Sequence, residues 1–248
     1  MMFLSRPRQR KMEASLINRN TIRLEMKRLV IYIIMCGWCT MVSAQKVSVL
    51  GDSYSTFEDF VTPSTNELWY YAKNDSAKTD VNRVEDTWWW QFINDNGYQL
   101  CVNNSYSGAT IGYVGYDGND YSERSFIKRM RDIGNPDIIL IFGGTNDSWA
   151  GEKVGEYKYG DWTQGDFLTF RPAMAYMLNW IQHHHPNVSI YFLINSELRD
   201  DITQSCQVIC NHYNVPYIML HDIDKRMGHP TAKGMKAIAE QVKSIVRK

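Results

Sequence analysis

Four short segments each carry a residue type that acyl-transfer chemistry uses. Ser53 ends the run VSVLGDS, Gly108 lies in NNSYSGAT, Asn146 lies in GGTND and His229 lies in GHPTAKG. A serine becomes a nucleophile when a neighbouring base such as histidine accepts its proton. The tetrahedral intermediate then needs fixed donors, which the backbone N–H groups of Ser53 and Gly108 and the side-chain amide of Asn146 would supply. Together these residues predict a serine-dependent acyl-transfer site.

Each of these residues also has a purely structural interpretation. Ser53 alone would most often be a turn residue, and Asn146 could form a turn in a glycine-rich loop. Gly108 could be needed only for its backbone freedom, and His229 could simply begin the last helix. The catalytic interpretation is favoured because all four types occur together, each close behind a separate apolar run.

The elements that must position these residues are apolar runs of strand length, separated by helical patterns. The runs are near-continuous, as expected for strands that are covered on both faces. They predict an α/β fold, a three-layer α/β/α sandwich around a five-stranded parallel sheet. In such sheets ligands bind outside the carboxyl ends of the strands, which is where the candidate residues fall. The runs are residues 47–50, 99–104, 137–142, 189–194 and 216–220.

The four motifs resemble those of the SGNH, or GDSL-type, hydrolases, a family of serine esterases and lipases. They occur in that family's order, as LGDSYS, NNSYSGAT, GGTND and GHPTAKG, and the resemblance extends over nearly the whole of residues 45–248. The resemblance implies a flavodoxin-like topology, with Ser53 as nucleophile and His229 as base. It also implies an oxyanion hole formed by Ser53, Gly108 and Asn146, and we expect neither a cofactor nor a metal ion.

The sequence departs from this family at the acid that orients the catalytic histidine. The family usually has an aspartate three residues before that histidine, and here the position is Arg226. The nearest acids are Asp224 and Asp222. We expect Asp224 to orient His229 from a longer loop, and the alternative is a Ser-His dyad helped by a backbone carbonyl.

The first 44 residues differ in charge from the remainder. They hold eight basic and two acidic residues, which leaves 19 basic and 25 acidic residues in the rest and makes nucleic acid a poor partner. The segment from Met26 to Ala44 has the basic start, apolar middle and small-residue end of a signal peptide. Its apolar part is shorter than the roughly 20 residues that span a bilayer, so no stable membrane anchor is expected. Residues 1–25 are interpreted as a gene-model extension, and residues 45–248 as one catalytic domain that is secreted or periplasmic after cleavage near Ala44.

A long polar segment behind Asn146 carries aromatic residues that could bind substrate. Trp149, Tyr157 and Trp162 could stack on sugar rings, or could pack over the edge of the sheet. With export, this predicts a small-molecule or glycan ester as substrate, most of all an acetyl ester on a carbohydrate. The alternatives are an acylhydrolase acting on lipids or thioesters, and a non-catalytic carbohydrate-binding module. The consecutive histidines at 183–185 point in different directions on a helix and predict no metal site.

Overall fold

The computed structural model describes residues 23–27 and 44–246. The chain divides into two units, Met1–Ser43 and Ala44–Lys248. In the first unit residues 23–27 are helical. The expected signal peptide, 26–44, and the expected gene-model extension, 1–25, lie largely outside the described residues. Within those residues no helix has the length and apolar character needed to cross a membrane.

The second unit is built on the five-stranded sheet that the apolar runs predict. Its strands are β1 Lys46–Gly51, β2 Gln99–Ser105, β3 Ile138–Phe142, β4 Ser189–Ile194 and β5 Tyr217–Met219. The predicted runs agree with these strands to within one residue at each end. All five strands are parallel and their order is β2-β1-β3-β4-β5. This is the flavodoxin-like order, in which the chain reverses direction of winding beside β1.

Helices cover both faces of the sheet because successive side chains of a strand point to opposite faces. In β3, Ile139 and Ile141 belong to one buried cluster, whereas Ile138, Leu140 and Phe142 belong to the other. The helices are α1 Trp88–Asp95, α2 Phe126–Arg129, α3 Thr145–Trp149, α4 Phe170–His184, α5 Asp200–His212 and α6 Ala232–Ile245. The first cluster includes residues of α2, α4 and α5, and the second includes residues of α1 and α6. Together the layers form the predicted three-layer sandwich.

The carboxyl ends of the three neighbouring strands β2, β1 and β3 stop at the same level. Gly51, the last residue of β1, is in register with Ser105 of β2 and Phe142 of β3. A Cβ atom at Gly51 would lie 2.6 Å from the Ser105 hydroxyl and 2.7 Å from the Ser55 side chain, so only glycine fits. The turns that follow these strands therefore begin side by side.

A two-residue hairpin brings the chain back to this edge after β5. Its antiparallel strands are β6 Lys225–Arg226 and β7 His229–Pro230. The two turn residues, Met227 and Gly228, both have positive φ, 50° and 78°. This is the backbone that tight two-residue hairpins require. The hairpin fixes His229 at the start of α6, beside the ends of the central strands.

Candidate active site

The turn after β1 holds Ser53 rigidly at the carboxyl edge. Ser53 begins a single turn of 3₁₀ helix, and the Asp52 carboxylate accepts a hydrogen bond from the Tyr54 N–H at 3.0 Å. Burial raises the pKa of Asp52 to about 7, against the opposing effects of that N–H, Thr145 and Arg129. Ser53 is buried, with 2% of the residue exposed. Asp52 therefore stabilises the turn that presents the serine.

His229 contacts Ser53 in the geometry of a nucleophile and its base. The Ser53 Oγ lies 2.9 Å from His229 Nε2, and His229 Nδ1 lies 3.0 Å from the backbone carbonyl of Met227. Because a carbonyl can only accept, Nδ1 carries the proton and Nε2 is free to accept from the serine. Burial lowers the pKa of His229 to about 4, with the nearby charges of Lys78 and Lys225 acting in the same direction. The imidazole is therefore neutral, as a base must be, at neutral pH.

The structure places the Asp224 carboxylate, which was expected to orient His229, against Thr231 instead. The Asp224 carboxylate accepts a hydrogen bond from the Thr231 hydroxyl at 2.5 Å, and its backbone carbonyl accepts from the Thr231 N–H at 3.0 Å. Asp222 is no substitute, since its side chain is 94% exposed and contacts His221. The tight β6–β7 turn instead places the Met227 carbonyl at Nδ1. These contacts are the ones that the alternative expectation requires, a Ser-His pair helped by a backbone carbonyl.

The two other candidate oxyanion donors lie on neighbouring turns. Gly108, with φ of 77°, follows β2, and Asn146 is the second residue of α3. The Asn146 amide donates to the Ala109 carbonyl at 2.9 Å, and its oxygen accepts from the Tyr116 hydroxyl at 2.9 Å. These bonds fix which way the amide faces, and one amide proton remains for a ligand. Tyr116 was not foreseen from the sequence, because nothing in its spacing links it to Asn146.

Two buried carboxyl groups support this region from below. Asp147 accepts a hydrogen bond from the Ile111 N–H at 2.9 Å, which ties α3 to the loop that carries Gly108. Glu152 is also buried, and its N–H donates to the Asp147 carbonyl at 3.0 Å. Burial raises the pKa of both carboxyls, and the neighbouring Asp147 raises that of Glu152 further. A proton retained on Glu152 at neutral pH avoids placing two negative charges in the interior.

Aromatic rings surround His229. The Trp69 indole is stacked on the imidazole with ring centres 3.5 Å apart and planes 8° apart. Tyr54 lies 5.3 Å away and donates to the Gly228 carbonyl at 2.5 Å, and Trp149 lies 5.7 Å away, edge on. The sequence pattern did not indicate Trp69 or Tyr54, since no periodicity relates their segments to His229.

Only one of the three predicted substrate-binding aromatics lies at this site. Trp149 is 44% exposed and packs beside His229. Tyr157 lies under the Arg171 guanidinium, 4.3 Å from its ring centre. Trp162 packs edge on against Tyr176 at 5.6 Å. Arg171 and Tyr176 belong to α4, so Tyr157 and Trp162 pack over a helix and the expectation that they bind substrate finds no support in their contacts.

Comparison with known proteins relates the sequence to a family. The family model for GDSL-like lipases/acylhydrolases matches residues 45–246. A protein from Bacteroides ovatus, described as a GDSL-like lipase, is 56% identical, with a TM-score of 0.80 over 82% of this chain and 97% of that one. One from Bacteroides uniformis, described in the same way, is 48% identical, with a TM-score of 0.80 over 82% and 96%.

More distant structures share the fold alone. A family two carbohydrate esterase from Clostridium thermocellum, in complex with cellohexaose, is 13% identical, with a TM-score of 0.55 over 81% of this chain and 62% of that one. None of the curated proteins matches the sequence.

Proposed function

Because this chain belongs to the GDSL-like lipase/acylhydrolase family of ester-hydrolysing enzymes, we propose that it is a serine esterase acting on short acyl esters, above all acetyl esters, of carbohydrates. The observation that carries the proposal is the 2.9 Å contact between Ser53 Oγ and His229 Nε2. A nucleophile within hydrogen-bond reach of a base whose other nitrogen is anchored is the signature of covalent acyl transfer.

In the first half-reaction, Ser53 Oγ attacks the ester carbonyl carbon while its proton passes to His229 Nε2. The carbonyl oxygen becomes an oxyanion and accepts from the N–H groups of Ser53 and Gly108 and from the free amide proton of Asn146. His229 then gives its proton to the departing alcohol, leaving an acyl ester on Ser53. Throughout, the Met227 carbonyl accepts a hydrogen bond from the protonated Nδ1 of His229 and keeps Nε2 directed at Ser53.

In the second half-reaction, water takes the place of the alcohol. His229 accepts a proton from the water molecule while the water oxygen attacks the acyl carbon. The oxyanion forms again at the same donors, and the proton returns to Ser53 Oγ as the carboxylic acid leaves. The cycle consumes one water molecule and restores both side chains.

The surroundings of Ser53 support a small acyl group on a polar alcohol. Trp149 offers a partly exposed flat ring beside His229. One partly exposed ring suits a sugar face, whereas a lipase needs a broad apolar entrance.

The test uses residues 45–248 and two series of substrates. Rates are measured on aryl esters of increasing acyl length and on acetylated oligosaccharides. Ser53→Ala should lower kcat about a millionfold. Retention of a tenth of the activity in that variant, or a preference for acyl chains of eight or more carbons, would contradict the proposal.

Trp149→Ala tests the sugar-binding part separately. It should raise KM for acetylated oligosaccharides by about tenfold, since loss of one stacking ring removes roughly 1–2 kcal/mol. Hydrolysis of a short aryl ester should change little. Tyr157→Ala is the matched control, because Tyr157 is also exposed but packs over α4. Equal effects of the two substitutions would remove the support for a sugar at Trp149.

A further inference from the structure

We propose that Trp69 is a positioning residue for His229. The stacked indole keeps the imidazole in the orientation that faces Ser53 and stabilises the positive charge that the imidazole acquires. It thereby takes the place of the carboxylate that a triad would supply. The inference rests on the proposed Ser53-His229 esterase chemistry. It concerns how a base without an acidic partner is oriented and charged.

The contact between the two rings is closer and flatter than the other aromatic contacts of His229. The Trp69 and His229 ring centres lie 3.5 Å apart with planes 8° apart, whereas Tyr54 and Trp149 meet the imidazole at 56° and 70°. A parallel stack covers one whole face of the imidazole. Rotation of the ring away from Ser53 would lose this contact as well as the bond to the Met227 carbonyl.

The indole itself is held from two sides. The Trp69 backbone N–H donates to Thr56 Oγ1 at 2.9 Å, and that hydroxyl donates to the Ser53 carbonyl at 3.0 Å. The Lys78 ammonium lies 3.9 Å from the indole centre and donates to the Trp69 carbonyl at 3.2 Å. Lys78 and His229 cannot both occupy one face at these distances, so Lys78 covers the opposite face. The ring is thereby fixed relative to the nucleophile.

The choice of tryptophan is explained by its face and not by its polar edge. The Trp69 Nε1–H is buried and has no hydrogen-bond partner, a cost that a phenyl ring would avoid. Among aromatic side chains, however, the indole attracts a cation most strongly. That property is useful only if the stacked partner becomes charged.

His229 needs such a partner because its surroundings otherwise oppose the charge. The residue is 6% exposed, and Asp224 and Asp222 are engaged elsewhere. Lys78 and Lys225 add positive charge nearby. When the proton of Ser53 moves to Nε2, the new imidazolium is stabilised by the Met227 carbonyl at one edge and by the indole face beneath it. The attraction should be greater in the transition state than in the neutral ground state, so it should act on kcat.

Site-specific replacement of Trp69 by mono-, di- and trifluorotryptophan tests this directly. Fluorine withdraws electron density from the ring face but changes its shape little. We expect kcat on a short aryl acetate to fall at each step, by about three- to thirtyfold over the series, with KM unchanged. Trp69→Phe should retain more kcat than Trp69→Leu, since leucine excludes water without offering a π face.

The matched control is Trp180, which is stacked on His184 at 3.8 Å and 13° but lies on α4 outside the site. The same fluorinated residues there should leave kcat unchanged. A flat kcat series at Trp69, an effect confined to KM, or an equal effect at Trp180 would each overturn the inference. These results differ from failure of the proposed function, in which the wild-type enzyme would not hydrolyse the ester or Ser53→Ala would remain active; the inference would then fall too.

Discussion

Replacement of Asp224 separates a catalytic from a structural role for the acid nearest to His229. In a serine triad, an aspartate-to-asparagine change lowers kcat about ten-thousandfold, which corresponds to about 5 kcal/mol. Here the Asp224 carboxylate bonds the Thr231 hydroxyl, and Thr231 caps α6 by accepting from the Gly234 N–H at 3.2 Å. Asp224→Asn should therefore change kcat by no more than about threefold, because no reacting group loses a partner.

The expected cost of removing this side chain lies in stability. One partly exposed hydrogen bond contributes about 0.5–1 kcal/mol, so Asp224→Ala should lower Tm by about 1–4 °C in a domain of this size. Thr231→Ala should cost about 1 kcal/mol by loss of the cap. Since both act through one contact, the double variant should be less destabilised than the sum.

The assay is ester hydrolysis under saturating substrate, combined with thermal unfolding of each variant. Asp222→Asn is the control, since that side chain is exposed and contacts His221. A thousandfold loss of kcat in Asp224→Asn with an unchanged Tm would refute the dyad and restore the triad.

Three further outcomes are expected. Asn146→Ala should lower kcat about a hundred- to a thousandfold, and Tyr116→Phe should lower kcat less. In the Asn146→Ala background, Tyr116→Phe should have no additional effect on kcat; an additional effect there would contradict the role of Tyr116 in fixing the Asn146 amide. Because the base must be neutral and the pKa of His229 is lowered to about 4, kcat/KM should stay constant from neutral pH down to about 5 and fall near pH 4; a midpoint near 6.5 would show that the imidazole is not desolvated. Burial raises the pKa values of Asp147 and Glu152 above those of the unfolded chain, so the folded state binds more protons. The free energy of unfolding should therefore decrease as pH rises from about 5 to 9. Glu152→Gln should make this pH dependence shallower in thermal unfolding, and an equally steep dependence in that variant would exclude the pair as its cause.

Most of the fold followed from the sequence because its signals are local and strong. A strand that is buried on both faces must be apolar throughout, and each of the five runs proved to be a strand of one parallel sheet. Parallel strands require crossovers, so the helices between them had to cover both faces. The strand order agrees with the flavodoxin-like topology that the resemblance implied.

The positions of the candidate chemical groups were predictable for the same reason. Ser53, Gly108 and Asn146 each follow a strand of the sheet, and the ends of neighbouring parallel strands meet at one edge. His229 follows β5, the last strand of the five-stranded sheet in chain order. For these residues, order along the sequence and the geometry of a parallel sheet together specify the neighbourhood.

What the sequence determined by itself was thus the set of strands and the residues at their carboxyl ends. The partners of those residues were decided only by tertiary structure. Asp224 is near His229 in the sequence, yet the two-residue turn of the β6–β7 hairpin directs the Met227 carbonyl to the imidazole and leaves Asp224 to Thr231. Trp69 is remote in the sequence and lies against the imidazole at 3.5 Å. Side-chain contacts of this kind depend on loop conformation and on packing across layers, which no residue periodicity encodes.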